Sequence, residues 1–319
     1  MIHQNWKNIT AAFVLLLSAT ACLKDFEPNP VEKVGYGQIE ITDAPIDDPN
    51  VSGVFLTIAD VKVDGKSWAG FDGKTTFDLL AYHNGLAKLL GEGSLELKAY
   101  NEIVLIFDTE TDANGNSPGC YIKDNSGGKR KLNGGSQMVI KAKGSFEPKA
   151  GDTAAVIIDM DLRKSIVYQV GSSNEYKFVS DPELASAIRL LDKSSTGTIS
   201  GDCTDGVSSS DKVVVYAYKK GTFDISIEKF PQGASQIQFK NAIASSAVEA
   251  NGNYHLSLLE SGLYELHFIS YKVEADGRLY AKGELQISLL NNLLDPLALN
   301  LSAKESLSVD LMVTGILFF

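Results

Sequence analysis

From Val34 onward the chain alternates between apolar and polar positions. Short runs with an apolar residue at every second place are separated by Gly, Asn, Asp and Pro, the punctuation of strands and turns. The clearest runs are residues 37–42, 53–58 continuing through Val61-Lys62-Val63, 95–107, 137–140 and 154–158. The pattern resumes at residues 196–201, 212–218, 252–258 and 262–268. One stretch departs from it: across residues 77–91 apolar side chains fall three and four apart, so a helical turn or two is predicted there. The polar Lys193-Ser194-Ser195 before the Gly197-Thr198-Ile199-Ser200-Gly201 strand marks a boundary. The predicted fold is all-β: two β-sandwich domains, residues 35–192 and 193–319, of Greek-key and transthyretin-like type.

The first 34 residues follow a different rule. Lys7 precedes an uncharged, mostly apolar run over residues 9–21 that ends in small side chains, the anatomy of a signal peptide over residues 1–21. That run is shorter than the roughly 20 apolar residues a spanning helix needs. Ala19-Thr20-Ala21-Cys22 resembles a bacterial lipobox, with Ala19 where leucine is commoner; the resemblance implies that the Cys22 thiol receives a diacylglyceryl group and palmitate-type chains. Two or more acyl chains, at about 0.8 kcal/mol per buried methylene, hold a protein stably on a bilayer. Residues 22–34, with Pro28 and Pro30, read as a tether. Lys24-Asp25 and Glu27 resemble the charged export tag of surface-displayed lipoproteins, which implies a lipid-anchored, surface-exposed place on the outer membrane.

Composition sharpens the class. The 319 residues are 44% hydrophobic with a formal charge of −11, enough apolar material for sizeable cores and no electrostatic footprint for nucleic acid. Cys22 is one of three cysteines; Cys120 and Cys203 remain, as a disulfide or as two thiols.

Several motifs occur in the order of one family. They are Ile41-Thr42-Asp43-Ala44-Pro45, Phe77-Asp78-Leu79-Leu80 with Asn84-Gly85, Leu89-Leu90-Gly91, Tyr100-Asn101-Glu102-Ile103, Ile158-Asp159-Met160-Asp161 with Lys164-Ser165, and Ala187-Ile188-Arg189. Residues 35–192 thus resemble a domain-of-unknown-function family of bacterial and archaeal lipoproteins. Residues 196–319, with a Gly-x-Ile-x-Gly strand, a Val/Tyr strand and two Gly-initiated strands, resemble the carboxypeptidase regulatory-like domain. Its long middle segment, 221–250, departs from that pattern. The second resemblance implies an interaction or scaffold module rather than a catalytic one.

Candidate chemistry is sparse. Asp43, Asp47 and Asp48 follow a strand and either offer carboxylates to calcium or make a turn before Pro45. Glu110, Asp112, Asn114 and Gly115 copy part of a calcium-loop spacing, but its twelfth position is Tyr121, so a solvated hairpin tip is expected. Asp159 and Asp161 share one face of a strand, either as an acid/base pair or as ion pairs with Arg163 and Lys164. His83, His255 and His267 lack zinc-peptidase spacing, and no nucleophile elbow or phosphate loop occurs.

These features predict a non-catalytic, membrane-anchored module that binds a glycan or an envelope protein. The alternatives are a filament subunit that donates residues 306–319 as a strand, or an accessory protein of a polysaccharide-degrading system.

Overall fold

Alternation becomes strand wherever one face can be buried. In β1 (Val34–Ala44), Ile39 and Ile41 are wholly buried while Gln38 and Glu40 are half-buried, and the same alternation runs through β2 (Val51–Val63). The computed structural model describes residues 34–44, 48–169, 175–205, 210–274, 278–290 and 295–319. The expected signal peptide, Cys22, the tether up to residue 33 and Asp47 lie outside the described residues.

The first sheet continues with β3 (Lys66–Ser67), β4 (Thr75–Asp78), β5 (Lys88–Glu96), β6 (Tyr100–Asp108), β7 (Tyr121–Asp124), β8 (Lys129–Lys131), β9 (Gln137–Phe146) and β10 (Thr153–Asp161). After the short helix α1 (Leu162–Ser165), β11 (Ile166–Gln169) and β12 (Glu175–Phe178) form a separate ribbon. Helix α2 (Asp181–Ser186) then leads into β13 (Ile188–Asp192), which rejoins the sheet. Its order is β5-β1-β10-β13-β9-β6-β2-β7-β8, with β3 and β4 attached to β2. The β1–β10 pair is parallel and sets Ile39 opposite Val156 and Ile41 opposite Ile158.

The second sheet holds β14 (Thr196–Asp205), β15 (Lys212–Lys219), β16 (Ala244–Ala247), β17 (Asn253–Glu260), β18 (Gly262–Val273), β19 (Leu279–Leu289), β20 (Leu299–Leu301), β21 (Ser306–Ser308) and β22 (Leu311–Phe318). Its order is β16-β15-β18-β19-β22-β14-β17, with β20 on β18 and β21 on β14. The fold is all-β, in two curled sheets.

Strand β15 shows what the segment 221–250 is for. Val213, Val215 and Ala217 face a core with Leu266, Phe268 and Leu311, whereas Val214, Tyr216 and Tyr218 face a second one. That second core is closed by Phe239 and Ala242, with Phe223 and Ile225 packed at its edge, after the short helix α3 (Ile225–Glu228) has turned the chain. A strand buried on both faces reads as a continuous apolar run, as Val-Val-Val-Tyr-Ala-Tyr does.

The helix expected across residues 77–91 does not form. Leu79–Ala81 is one 3₁₀ turn, capped by Asp78, whose Oδ1 accepts Leu80 N–H at 3.1 Å and Val54 N–H at 2.8 Å. Asn84 and Gly85 then take positive φ (53° and 86°) and the chain enters β5. Sheet pairing with β1 overrides the helical spacing, and at Gly91 the strand passes Gly70 so closely that a Cβ would stand 2.0 Å from its carbonyl oxygen.

The C-terminal run belongs to its own sheet. β22 pairs antiparallel with β19 from Gly283↔Phe318 to Leu289↔Leu311 and parallel with β14 from Cys203 to Asp205. Its hydrogen-bonding edges are thereby occupied, which removes it as a donated strand.

Candidate ligand site at the seam of the two sheets

The seam begins where β10 ends. Alternation turns Met160 into the first core and puts Asp159 and Asp161 on the opposite face. Asp159 is held by the guanidinium of Arg189. Asp161 caps α1, accepting Lys164 N–H at 3.3 Å, and ion-pairs with Arg163 at 3.3 Å and Lys164 at 3.1 Å. Burial alone would raise the Asp161 carboxyl, but the two cations outweigh it and hold its pKa below the usual range.

Both cations reach across to the second sheet's covering segment. Arg163 donates through Nη1 to the carbonyls of Gln238 (2.9 Å) and Phe239 (3.2 Å), and its guanidinium lies 5.3 Å from the Tyr216 ring centre. Lys164 Nζ donates to Ala242 O at 2.8 Å. From α2, Glu183 accepts Ser235 N–H at 3.0 Å and Ser235 O–H at 2.7 Å. An apolar contact of Ile157 and Leu191 with Leu258 lies alongside. The two sheets therefore share one polar clamp and one apolar seam.

Asp43 lies behind this clamp. Its Oδ1 accepts Leu162 N–H at 3.1 Å, while Oδ2 is buried without a hydrogen-bond partner. Burial first, opposed by the Leu162 bond and reinforced by Asp161, Asp159 and Asp78, pushes its pKa well above the ordinary carboxylate range. It is a neutral acid at the end of β1.

Next to the clamp is a cavity of about 280 Å³ lined by Asp48, Arg163, Tyr168, Tyr176, Gln236 and Arg278 among others. The β11–β12 register sets Tyr168 opposite Tyr176, so both rings stand on one face of the ribbon, 4.8 Å apart and tilted by 56°. Tyr176 O–H donates to Asp48 Oδ2 at 2.7 Å; burial and then this carboxylate keep the phenol from ionising. The guanidinium of Arg278 lies 5.1 Å from the Tyr168 ring centre. Arg130, paired with Asp124 at 3.0 Å, is near enough to both tyrosines to interact with them electrostatically. Aromatic faces, guanidinium donors and a carboxylate acceptor around a concave space can hold a small polar ring.

The candidate residues separate. Asp43 is an interior acid bonded to a backbone N–H 119 residues away rather than to its own turn. Asp48 is a pocket residue that also accepts Asn50 N–H at 2.9 Å. Glu110 pairs with Lys131 at 2.7 Å, and Asp112 Oδ1 accepts the N–H groups of Asn114 and Asn116 at 2.9 and 2.8 Å, the internal bonding of a turn. Asp108 at the same tip is held at about 2: burial raises it, and Lys74 with the Thr111 and Glu110 N–H groups outweighs that. Among the described residues no three His, Cys, Asp or Glu side chains converge to hold a metal ion. The disulfide alternative is not formed: Cys120 is a buried thiol of the first core and Cys203 of the second. Burial pushes the Cys120 thiol up to about 12. Of the pocket's residues, Tyr168, Tyr176, Gln236 and Arg278 escape motif reading. The one signal they leave in the sequence is the rarity of arginine, four residues in all.

Fold and site together define an all-β, two-sheet protein with a small pocket at the seam. Residues 35–180 match the family model described as domain of unknown function (DUF4382). No curated protein matches the chain. Among solved structures it is similar to the Bacillus anthracis TIE protein (11% identity, TM-score 0.19, covering 88% of this chain and 34% of that one). It is also similar to BcpA, the major pilin subunit of Bacillus cereus (10%, TM-score 0.21, 88% and 71%). A third is the fimbrial anchor protein Mfa2 from Porphyromonas gingivalis (10%, TM-score 0.20, 87% and 90%). The chain spans about a third of the length of the first of these.

Proposed function

We propose that this protein is a non-catalytic binding module, anchored by a lipid on Cys22 to the outer membrane and exposed at the cell surface, that holds a glycan in the seam pocket. The observation that carries the reading is the pocket itself, where the paired rings of Tyr168 and Tyr176 meet Asp48, Gln236 and Arg278. Stacking aromatic faces with planar hydrogen-bonding groups at the rim suits a sugar ring, whose faces carry C–H and whose edge carries hydroxyls. The acids that would serve hydrolysis are otherwise engaged: Asp159 by Arg189, Asp161 by Arg163 and Lys164. Residues 193–319 enter the proposal as a carboxypeptidase regulatory-like, transthyretin-like module, supported by the order of β14, β15, β17 and β18 and by their pairing. The anchor is supported by the Ala-Thr-Ala-Cys sequence alone.

Two assays test this. Palmitate labelling of cells making wild type or Cys22→Ala should label only the wild type, and protease shaving of intact cells should remove it; label on the variant, or full protection from shaving, contradicts the anchor or its exposure. The full-length protein in detergent should bind saccharides on a glycan array and release no reducing ends from those it binds. Turnover, or binding to an envelope protein with no saccharide bound, overturns the glycan reading.

A further inference from the structure

The distribution of arginine narrows the ligand. Twenty-nine residues are Lys or Arg, and the only arginines are Arg130, Arg163, Arg189 and Arg278. Two of these line the seam pocket and a third, Arg130, interacts with its tyrosines, whereas Arg189 is taken by Asp159. A chain that uses lysine almost everywhere else concentrates at this one cavity the side chain whose rigid fork matches a planar anion.

The charge balance points the same way. The molecule is acidic overall, at −11, yet beneath the pocket Asp161 faces two cations, Arg163 and Lys164, so the buried group keeps one positive charge in excess. Asp43 behind it is neutral and does not cancel that charge. A buried net charge is costly unless something compensates it. On the pocket side Asp48 is engaged by Tyr176, and Arg278 lies over the face of Tyr168. Size limits the occupant as well: about 280 Å³ is at the small end of ligand pockets, which run from about 300 to 1,000 Å³, so one ring enters rather than a length of chain.

We propose that the seam pocket binds a single sugar bearing a carboxylate, a hexuronate or a sialate at the end of a glycan, with the ring against Tyr168 and Tyr176 and the carboxylate toward Arg278 and Arg163. This rests on the glycan reading above and specifies its ligand. The terminal position follows from the cavity's size, and the acid from its guanidinium lining.

Titration calorimetry on the full-length protein in detergent tests it with methyl glucuronide against methyl glucoside and sialyllactose against lactose. Which acid binds distinguishes the two sources. At least one acid should bind about tenfold or more tighter than its neutral counterpart, the scale of a charge-assisted hydrogen bond. Arg278→Gln should abolish that preference, and Arg278→Lys, which keeps the charge and loses the fork, should recover only part of it. Arg278 is half-buried, and an unchanged melting curve will show that the variants fold. Equal binding of acid and neutral sugars, or full acid binding by Arg278→Gln, overturns the inference. If the neutral sugars alone bind and Tyr168→Ala abolishes it, the acid specificity falls and the glycan reading stands; if no sugar of either kind binds, both fall.

Discussion

Asp43 and Asp161 stand at the ends of two neighbouring parallel strands and titrate in opposite directions, because one has lost water without gaining a cation and the other has gained two. Asp43 is raised in the folded state, so its burial is tolerated at acid pH and destabilises increasingly as pH rises above the unfolded value near 3.9 toward the folded one. Asp161 is lowered, so its contribution is present above that value and is lost as pH falls through its folded pKa. Thermal melts from pH 3 to 8 should therefore show Asp43→Asn gaining on wild type as pH rises. Asp161→Asn, which leaves Arg163 and Lys164 without their counter-charge, should cost about 3–5 kcal/mol near neutrality. Parallel wild-type and Asp43→Asn curves would contradict this assignment. None of it is legible in the sequence, where both residues are strand aspartates: the difference comes from Leu162 and the two cations, and from how deeply each carboxyl is buried.

At the level of elements, most strands follow from the period-two pattern, since a sheet with one buried face leaves that imprint on its residues. Two elements escape it. β5 carries a helical spacing that pairing with β1 overrides, and the segment 221–250 carries no period at all because it is a cover rather than a layer. Its plug is Phe239, wholly buried, stacked on Tyr216 with ring centres 4.7 Å apart and held by Arg163 through its own carbonyl. Phe239→Ala should destabilise by about 3–5 kcal/mol in denaturant unfolding. The exposed Phe230, 57% accessible, should lose far less on the same change. Equal effects would mean that the segment does not close the second core. The site was hidden for a related reason: Asp48 and Tyr176 are 128 residues apart, and Arg163 and Gln238 75, so no local motif could announce the pocket.

For the molecule from Val34 to Phe319, which forms one compact unit, the seam has mechanical as well as chemical weight. Arg163, Lys164 and Glu183 bind the backbone of the second sheet's cover, and Ile157, Leu191 and Leu258 exclude water beside them. Calorimetry should show the two sheets melting in one transition. Double substitution Arg163→Met and Lys164→Met should lower the second sheet's stability and split the curve. Two resolved transitions in the wild type would show that the clamp does not couple them. A pocket whose walls come from both sheets keeps its shape only while they stay coupled, so binding and the single transition should fail together in that variant.

The claim on which the account turns is that the seam pocket, and not some other surface, is where a glycan is held. The most direct measurement is the saccharide-array profile of the full-length wild type beside that of Tyr168→Ala, with folding of both confirmed by their melting curves. The account predicts that wild type binds a defined set of glycans and that the variant loses that set. Identical profiles for the two proteins would contradict it.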